Sequence, residues 1–326
     1  MPPTRSLRLD AGCHTLSCRF SPRGGSDSSS HLLDNASRDA FCAVHDLSTP
    51  GAVAGGIAWR ILSYTGIPKQ ASIDQWEGFR WIGRAAVLQK AYLRMIIRSV
   101  STQRQKFPRF LRVFGFREKC STTMISSALQ ELFFWGKAFA QPVVVASLDV
   151  LRAFELLTHR VISKALANAD APEWSRYSIL LQYVGLQAKA SIPGAGCTGL
   201  FPLQKSGPMG RTDAPELFNL VMELALSSIV DSWPAKGWGV TVTTASGPLH
   251  VTCLLWADNV YLVASSLSQL QSMVSEITLG INECELKWKP TALEYLPGFC
   301  IESPPDALTV QVLDSELSLK TVSYTH

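Results

Sequence analysis

Two aspartates stand at the ends of short apolar segments, and this arrangement constrains the fold more than any other feature of the sequence. The apolar run at 143–148 is typical of a buried strand, and Asp149 follows it directly. Asp258 lies in a tight turn between apolar segments at 254–256 and 260–263. Carboxylates that converge on one edge of a rigid sheet can hold two divalent ions about 4 Å apart, as phosphoryl transfer often requires. The sequence therefore predicts a sheet with a candidate magnesium site at one edge.

Each aspartate also has a simpler interpretation. Asp149 could be the N-cap of a helix that follows it. Asp258 together with Asn259 could be no more than favourable turn chemistry. Taken singly, these readings are preferred, so the metal-site hypothesis depends on the residues that surround both positions.

Hydrophobic spacing predicts a mixture of helices and strands. Helices are expected at about 77–100, 122–135, 150–167, 213–230 and 267–281. Strands are expected as hairpins over 186–203 and 240–256, as a single strand at 260–264, and as short strands near the C-terminus. Residues 1–40 are rich in Ser, Gly and Arg, and we expect them to form a disordered leader.

Charge is distributed unevenly along the chain. Residues 59–140 hold 14 lysines and arginines against four aspartates and glutamates, a net charge of +10, whereas the whole chain carries +4. Such asymmetry indicates a polyanionic partner, and a set of solvated helix faces is an equally simple explanation.

Cysteine usage and hydropathy limit the cellular setting. The eight cysteines are scattered without a C-x-x-C pair, which argues against zinc and favours a reducing, intracellular location, nuclear or cytoplasmic. No apolar run approaches the ~20 residues of a membrane span, and the N-terminus lacks the apolar core of a secretory signal. We therefore expect neither a membrane partner nor secretion.

An ordered series of short motifs carries a resemblance to a known family. The motifs are GIPK at 66–69, FRWI at 79–82, GFR at 115–117 with CST at 120–122, SLDVLRAFE at 147–155, GRTDAPELFNL at 210–220, WADN at 256–259 and LKWKP at 286–290. Their order and spacing resemble the reverse transcriptases of non-LTR retrotransposons and, more loosely, those of group II introns. Each motif alone is weak, but the ordered set is specific.

The resemblance implies an α+β fold of the right-hand polymerase type. It implies a palm made of an antiparallel sheet backed by helices, with a mostly helical fingers extension. The fingers would occupy 41–140 and the palm, with motifs A to D, 141–326. No thumb is expected within the chain, which would be truncated before it.

The resemblance also implies roles for individual residues. Asp149 and Asp258 would be catalytic and would hold Mg²⁺, or Mn²⁺ in its place, with the Val150 carbonyl and Asn259 as further ligands. The nucleotide would be bound by residues of the fingers and of motifs A and B, namely Lys69, Arg80, Phe154, Met209 and Gly210. Of these, the two cations would grip the triphosphate, and the Phe154 ring would exclude a 2′-hydroxyl.

Several positions depart from the family pattern. Asn259 replaces the second aspartate of motif C and removes one negative charge from the metal site. Met209 stands in place of the motif B glutamine, whose hydrogen bonds a thioether cannot make. Ala292 aligns with the motif D lysine, a role that Lys287 or Lys289 could take instead.

The function implied is RNA-directed DNA polymerisation, with an RNA template, a DNA primer and dNTPs as partners. A separate polypeptide could supply the thumb. The first alternative is an inactive remnant that binds nucleic acid and keeps the fold and the basic fingers. A divergent RNA-dependent RNA polymerase is a further alternative, against which Phe154 argues.

Overall fold

The computed structural model describes residues 61–69, 78–104, 113–117, 119–194, 196–203, 205, 210–244, 247–301 and 303–322. These residues belong to one compact unit that spans 44–326. The expected leader at 1–40 and the candidate nucleotide-binding residue Met209 lie outside the described residues.

Six helices are present in the described part of the chain, and some begin at a residue with an evident capping function. They are α1 (Val87–Arg104), α2 (Thr122–Ala138), α3 (His159–Asn168), α4 (Glu173–Leu181), α5 (Ala214–Ser232) and α6 (Leu267–Glu283). Thr158 caps α3 because its hydroxyl accepts a hydrogen bond from the Val161 backbone N–H. Ser266 caps α6 in the same way. Pro215 stands in the first turn of α5, where backbone N–H groups have no partner within the helix. The N–H that proline lacks therefore costs no helical hydrogen bond.

The strands form three sheets. The strands are β1 (Ile61–Pro68), β2 (Phe79–Arg84), β3 (Val144–Val150), β4 (Gln187–Ile192), β5 (Gly196–Cys197), β6 (Phe201–Pro202), β7 (Val240–Thr244), β8 (Gly247–Val251), β9 (Cys253–Trp256), β10 (Asn259–Ala264), β11 (Trp288–Pro297), β12 (Ala307–Val312) and β13 (Ser315–Thr321). The central six-stranded sheet has the order β12-β13-β11-β3-β10-β9. A second sheet has the order β2-β1-β4-β5 with β6 paired to β4, and β7 pairs with β8 alone.

Strand β3 lies inside the central sheet and pairs antiparallel with both β10 and β11. Alternate residues of β3 point to opposite faces. On one face, Leu148 is buried, and helix α6 packs over β3, β10 and β12. On the other face, Leu132 and Phe133 of α2 pack against Val145. Each such buried side chain contributes about 1.5–3 kcal/mol, so the strand that carries Asp149 is held rigidly.

The helical layer behind the sheet is tightly packed. Helix α5 lies against both α3 and α6. At the α5–α6 contact, Gly280 stands where a Cβ would overlap the Ala225 carbonyl oxygen. A glycine is required there, because only its absent side chain lets the two helix backbones come so close.

The structure corrects several expected element boundaries. The helix expected from residue 77 begins at Val87, because 79–84 forms β2 of a hairpin. The helix expected from 150 begins at His159, since residues 151–156 make turns in which Arg152 has a positive φ of 45°. The second strand of the hairpin expected over 240–256 is divided at Thr252 into β8 and β9, which belong to different sheets. The expected hairpin over 186–203 is confirmed.

The mixed α/β architecture with a largely antiparallel central sheet agrees with the predicted class. Within the described residues, no helix is both long enough and apolar enough to cross a bilayer. The division into fingers and palm remains a prediction.

Candidate active site

The register of the central sheet brings the two predicted carboxylates together. Asp149 is the next-to-last residue of β3, and Asn259, the first residue of β10, lies directly opposite it. Asp258 and Ala257 form the turn between β9 and β10. The Val150 N–H donates a 3.0 Å hydrogen bond to the Asp258 carbonyl oxygen, which fixes the turn against the end of β3. The two aspartates therefore share one edge of the sheet, as the sequence predicts.

The turn that carries Asp258 has an uncommon backbone. Ala257 has a positive φ of 53°, a conformation that is infrequent for residues other than glycine. Such a conformation persists only where surrounding contacts hold it, and it is found often at functional sites.

The two carboxyl groups influence each other electrostatically. Burial raises the pKa of Asp258, and the nearby Asp149 carboxylate raises it further, while Lys289 opposes the shift. Two carboxylates close together in a partly buried place repel each other. A bound cation would therefore stabilise their ionised forms.

The oxygen atoms at this edge fit a divalent cation. Asp149 Oδ1 is buried and has no hydrogen-bond partner, although a buried carboxylate oxygen normally has one. Its Oδ2 accepts a 3.1 Å hydrogen bond from Lys289 Nζ. Carboxylate oxygens and the amide oxygen of Asn259 are the hard donors that Mg²⁺ or Mn²⁺ prefers. Among the described residues, no group of three or more His, Cys, Asp or Glu side chains is arranged to hold a metal ion.

Lys289 is the residue at this edge that the sequence left unplaced. It follows Trp288, which pairs with Val150 across β11 and β3. That pairing brings the Lys289 side chain to Asp149, where it forms a half-exposed ion pair. The bulge in β11 after Trp288 shifts the register, and a register shift cannot be read from strand periodicity.

The predicted sugar-contacting ring, Phe154, lies in an aromatic stack. Its ring centroid is 5.0 Å from that of Phe218 on α5 and 6.0 Å from that of Phe116. Phe154 is half-buried, Phe218 is fully buried, and Phe116 is exposed. The stack fixes the orientation of the Phe154 ring and leaves part of it accessible.

The predicted triphosphate cations lie together on a different element. Lys69 follows β1 and continues its ladder through a 2.9 Å hydrogen bond from its N–H to the Gly78 carbonyl oxygen. Arg80 of β2 pairs with Ile67, so the two cationic side chains are diagonal neighbours on one face of the β1–β2 hairpin. Both are exposed.

Gly210 lies against the same hairpin. It has a positive φ of 98°, and a Cβ there would overlap the Gly83 carbonyl oxygen of β2. Only glycine allows this contact, which connects the segment before α5 with the strand that carries Arg80. Among the predicted nucleotide-binding residues, Met209 is the one outside the described part of the chain.

A buried ion pair at the start of α5 was not predicted. Arg211 donates to both Asp213 carboxylate oxygens, at 3.0 and 2.9 Å, and neither side chain is exposed. The guanidinium stacks on the Tyr183 ring at 4.4 Å, and burial raises the pKa of Tyr183. Charged residues two positions apart before a helix are common at the surface, so the sequence carried no signal that this pair is internal.

A largely antiparallel sheet with two aspartates at one edge, backed by helices, is typical of the palm of nucleic-acid polymerases. The chain belongs to the reverse transcriptase family, since residues 67–294 match the family model described as "Reverse transcriptase (RNA-dependent DNA polymerase)". The resemblance noted from the motifs is thereby confirmed.

A curated relative supports the non-LTR type. Over 229 residues the chain is 24% identical to the "Retrovirus-related Pol polyprotein from type-1 retrotransposable element R2" of Nasonia vitripennis. The match covers 69% of this chain and 21% of the relative, so the chain spans about a fifth of that polyprotein.

Solved structures show the same fold at low identity. Apo telomerase from Candida tropicalis superposes with a TM-score of 0.56 at 9% identity, covering 83% of this chain and 50% of that one. A form of the same enzyme truncated from its C-terminal domain gives a TM-score of 0.53 at 10% identity, covering 79% and 53%. These matches concern the fold alone.

Proposed function

We propose that this chain is the polymerase core of a retrotransposon RNA-directed DNA polymerase, which adds deoxynucleotides to a primer 3′-hydroxyl. The observation that carries the proposal is the pair Asp149 and Asp258 at one edge of the sheet, with a buried Asp149 oxygen that lacks a protein partner. The match to the reverse transcriptase family supports a catalytic role for this pair of aspartates.

In this proposal the acidic edge holds divalent ions, Mg²⁺ or Mn²⁺. The ligands would be Asp149, Asp258, Asn259 and the Val150 carbonyl. Bound ions supply positive charge that stabilises the phosphate oxygens and favours ionisation of the attacking hydroxyl.

The protein residues bind and orient the reactants. Lys69 and Arg80 neutralise the triphosphate with charge-assisted hydrogen bonds. Phe154, fixed by its aromatic neighbours, excludes a 2′-hydroxyl, and Gly210 allows the segment before α5 to contact the strand that carries Arg80, beside the nucleotide. The primer 3′-hydroxyl loses its proton to solvent, a bond forms between its oxygen and the α-phosphorus, the bond from that phosphorus to the bridging oxygen of the β-phosphate breaks, and pyrophosphate leaves.

The partners in this proposal are an RNA template, a DNA primer and dNTPs. The excess of +10 at 59–140 supports binding of a polyanion by the fingers, 41–140, beside a palm at 141–326. A thumb contributed by another polypeptide would complete the grip on the duplex.

Primer extension tests the proposal. The purified chain is incubated with an oligo(dT)-primed RNA template and dNTPs, with Mg²⁺ or with Mn²⁺. We expect extension by the wild type, none by Asp149→Ala, and unchanged extension by Asp314→Asn, which alters an exposed aspartate in the β12–β13 turn. Extension that persists in Asp149→Ala would refute the assignment of this carboxylate.

A second candidate is a nucleic-acid-binding remnant without catalysis. It is favoured by the Lys289–Asp149 ion pair, which places an ammonium beside the metal site, and by Asn259, which reduces the charge of that site. Tight binding of an RNA–DNA duplex without extension, and no gain from Asn259→Asp, would select this candidate. Extension restored by Asn259→Asp would instead favour a polymerase whose metal site has weakened.

A further inference from the structure

We propose that Asn219 is a positioning residue for Asp258, which it holds in place through the backbone of Gly115. The inference rests on the proposed function, since it concerns the same acidic edge. It adds a connection from helix α5 to the turn between β9 and β10 that neither residue type nor spacing indicates. The segment 113–117 forms this connection and is called the bridging loop.

The first contact joins α5 to the bridging loop. Asn219 is 5% exposed, and its Nδ2 donates a 3.0 Å hydrogen bond to the Gly115 carbonyl oxygen. A buried amide on the inward face of a helix is unfavourable unless it is hydrogen-bonded. This hydrogen bond therefore fixes the position of the Gly115 backbone relative to α5.

The second contact joins the bridging loop to strand β9. The N–H groups of Phe114 and Gly115 both donate to the Leu255 carbonyl oxygen, at 2.8 and 3.3 Å. Val113 also forms a parallel bridge with Leu255. The loop is thus held against the outer edge of β9 at Leu255, three residues before Asp258.

The third contact is steric, and it depends on a glycine. A Cβ at Gly115 would lie 2.9 Å from the Ala257 Cα and 3.0 Å from the Trp256 carbonyl carbon, and would overlap the Ala257 nitrogen. The loop backbone therefore lies directly on the backbone of the turn. Ala257 holds its positive φ at this point, which is the kind of conformation that surrounding contacts must maintain.

Helix α5 holds the bridging loop at a second point. Phe218, next to Asn219, contacts Phe154, and Phe154 contacts Phe116 of the loop. The loop is thus joined to α5 at Gly115 and, through the Phe154 ring, at Phe116. Because Asp258 follows Ala257 directly, a displacement of the loop would displace the carboxylate relative to Asp149. An outer partner that orients a ligand in this way typically changes metal affinity or activity about 10- to 100-fold when it is lost.

Amide hydrogen exchange and Mn²⁺ binding test this inference on the full chain. Asn219→Leu and Asn219→Asp remove the donor with little change in volume, and Gly115→Ala forces the loop and the turn apart. The matched controls are Gln269→Leu, an amide on helix α6 whose hydrogen bonds hold residues 237, 239 and 265, and Gly199→Ala, where a Cβ has open space.

We expect faster exchange at 113–117, at 255–259 and at Val150, whose N–H is bonded to Asp258, in the three test variants. In Gln269→Leu the change should be confined to the segments around 237–239 and 265. Mn²⁺ affinity, measured by electron paramagnetic resonance, should fall about 10-fold in the test variants and remain unchanged in both controls. Where extension is measurable, kcat should fall while the KM for dNTP stays constant.

The inference is overturned if Asn219→Leu loses stability like Gln269→Leu but keeps wild-type exchange at 255–259 and wild-type Mn²⁺ affinity. Asn219 would then only satisfy a buried carbonyl group. A different result concerns the proposed function: if Mn²⁺ binds the wild type and Asp149→Ala equally, the metal site is refuted. The exchange comparison, which needs neither metal nor activity, still decides whether Asn219 holds the turn.

Discussion

At one edge of the sheet, the carboxylates of Asp149 and Asp258 repel each other, while the Lys289 ammonium attracts Asp149. Asp149 has one oxygen paired with Lys289 and one buried oxygen without a hydrogen-bond partner. Asp258 has a raised pKa from burial and from Asp149. The ionised form of Asp258 is therefore unfavourable in the folded chain, and in the proposed function a bound cation would offset that cost.

The first prediction concerns the pH dependence of stability. A folded-state pKa above the ordinary value of 3.8 means that protonated Asp258 favours folding below about that pH, and that this contribution is lost as the pH rises through the raised pKa. Asp258→Asn should therefore have a higher Tm than the wild type at pH 7 in EDTA, and the difference should shrink toward pH 3.8. Thermal unfolding followed by circular dichroism measures both.

The control for this prediction is Asp314→Asn, which neutralises an exposed turn aspartate and should leave the Tm unchanged at both pH values. A Tm of Asp258→Asn below that of the wild type at pH 7 would contradict the predicted repulsion.

The second prediction concerns Lys289, whose ammonium pairs with Asp149 and would compete there with a bound cation. The ion pair is half-exposed, so its contribution is modest. We expect Lys289→Gln to bind Mn²⁺ about 2- to 5-fold more tightly at low ionic strength, an effect within the range of such pairs. Lys287→Gln removes the same charge from a neighbouring exposed position and should change the affinity less. Weaker Mn²⁺ binding by Lys289→Gln would show that the lysine supports the site.

At the scale of elements, the sequence predicted what depends on local pattern. The apolar run before Asp149 became β3, and the turn at Asp258 became the β9–β10 connection. The helix start at His159 was missed because a left-handed residue, Arg152, ends the preceding segment, and no periodicity signals that. The pairings of Asn219 and of Lys289 span more than 100 residues of sequence, so they depend on tertiary packing alone.

The third prediction concerns the buried pair that precedes α5. Asp213→Asn removes the charge partner of a fully buried guanidinium, and we expect a loss of about 3–5 kcal/mol in the free energy of unfolding. The double variant Arg211→Met with Asp213→Leu should recover part of that loss, since it leaves no unpaired charge, although the Gln182 carbonyl and the Tyr183 hydroxyl each lose a hydrogen bond. Urea unfolding measures each value.

The matched control breaks an exposed ion pair. Glu285 pairs with Arg160 at the surface, and Glu285→Gln should change stability by about 1 kcal/mol or less. If the double variant were as unstable as Asp213→Asn, the pair would be essential for a reason other than its charge, such as the stacking of Arg211 on Tyr183.

At the scale of the whole molecule, the family could be identified from ordered motifs, whereas the activity of this chain could not. The family model covers 67–294, and the sheet edge carries the expected aspartates. Asn259, in place of the family's second motif C aspartate, lowers the negative charge at this edge and pairs with Asp149 across β10 and β3. Binding of nucleic acid is the whole-molecule property that charge distribution predicts most directly.

The fourth prediction is that duplex binding is dominated by the basic stretch and therefore depends steeply on salt. Helix α1 presents Arg94 and Arg98 on its exposed face. Each phosphate contact contributes about 0.9 to the slope of log affinity against log salt, so neutralising both arginines to glutamine should lower the slope by roughly 2. The matched control, Lys164→Gln with Lys320→Gln, makes the same change in net charge at exposed positions outside the stretch. Fluorescence anisotropy of a labelled RNA–DNA duplex over a salt series measures the slopes. Equal losses in both double variants would mean that total charge, rather than the basic face of α1, determines binding.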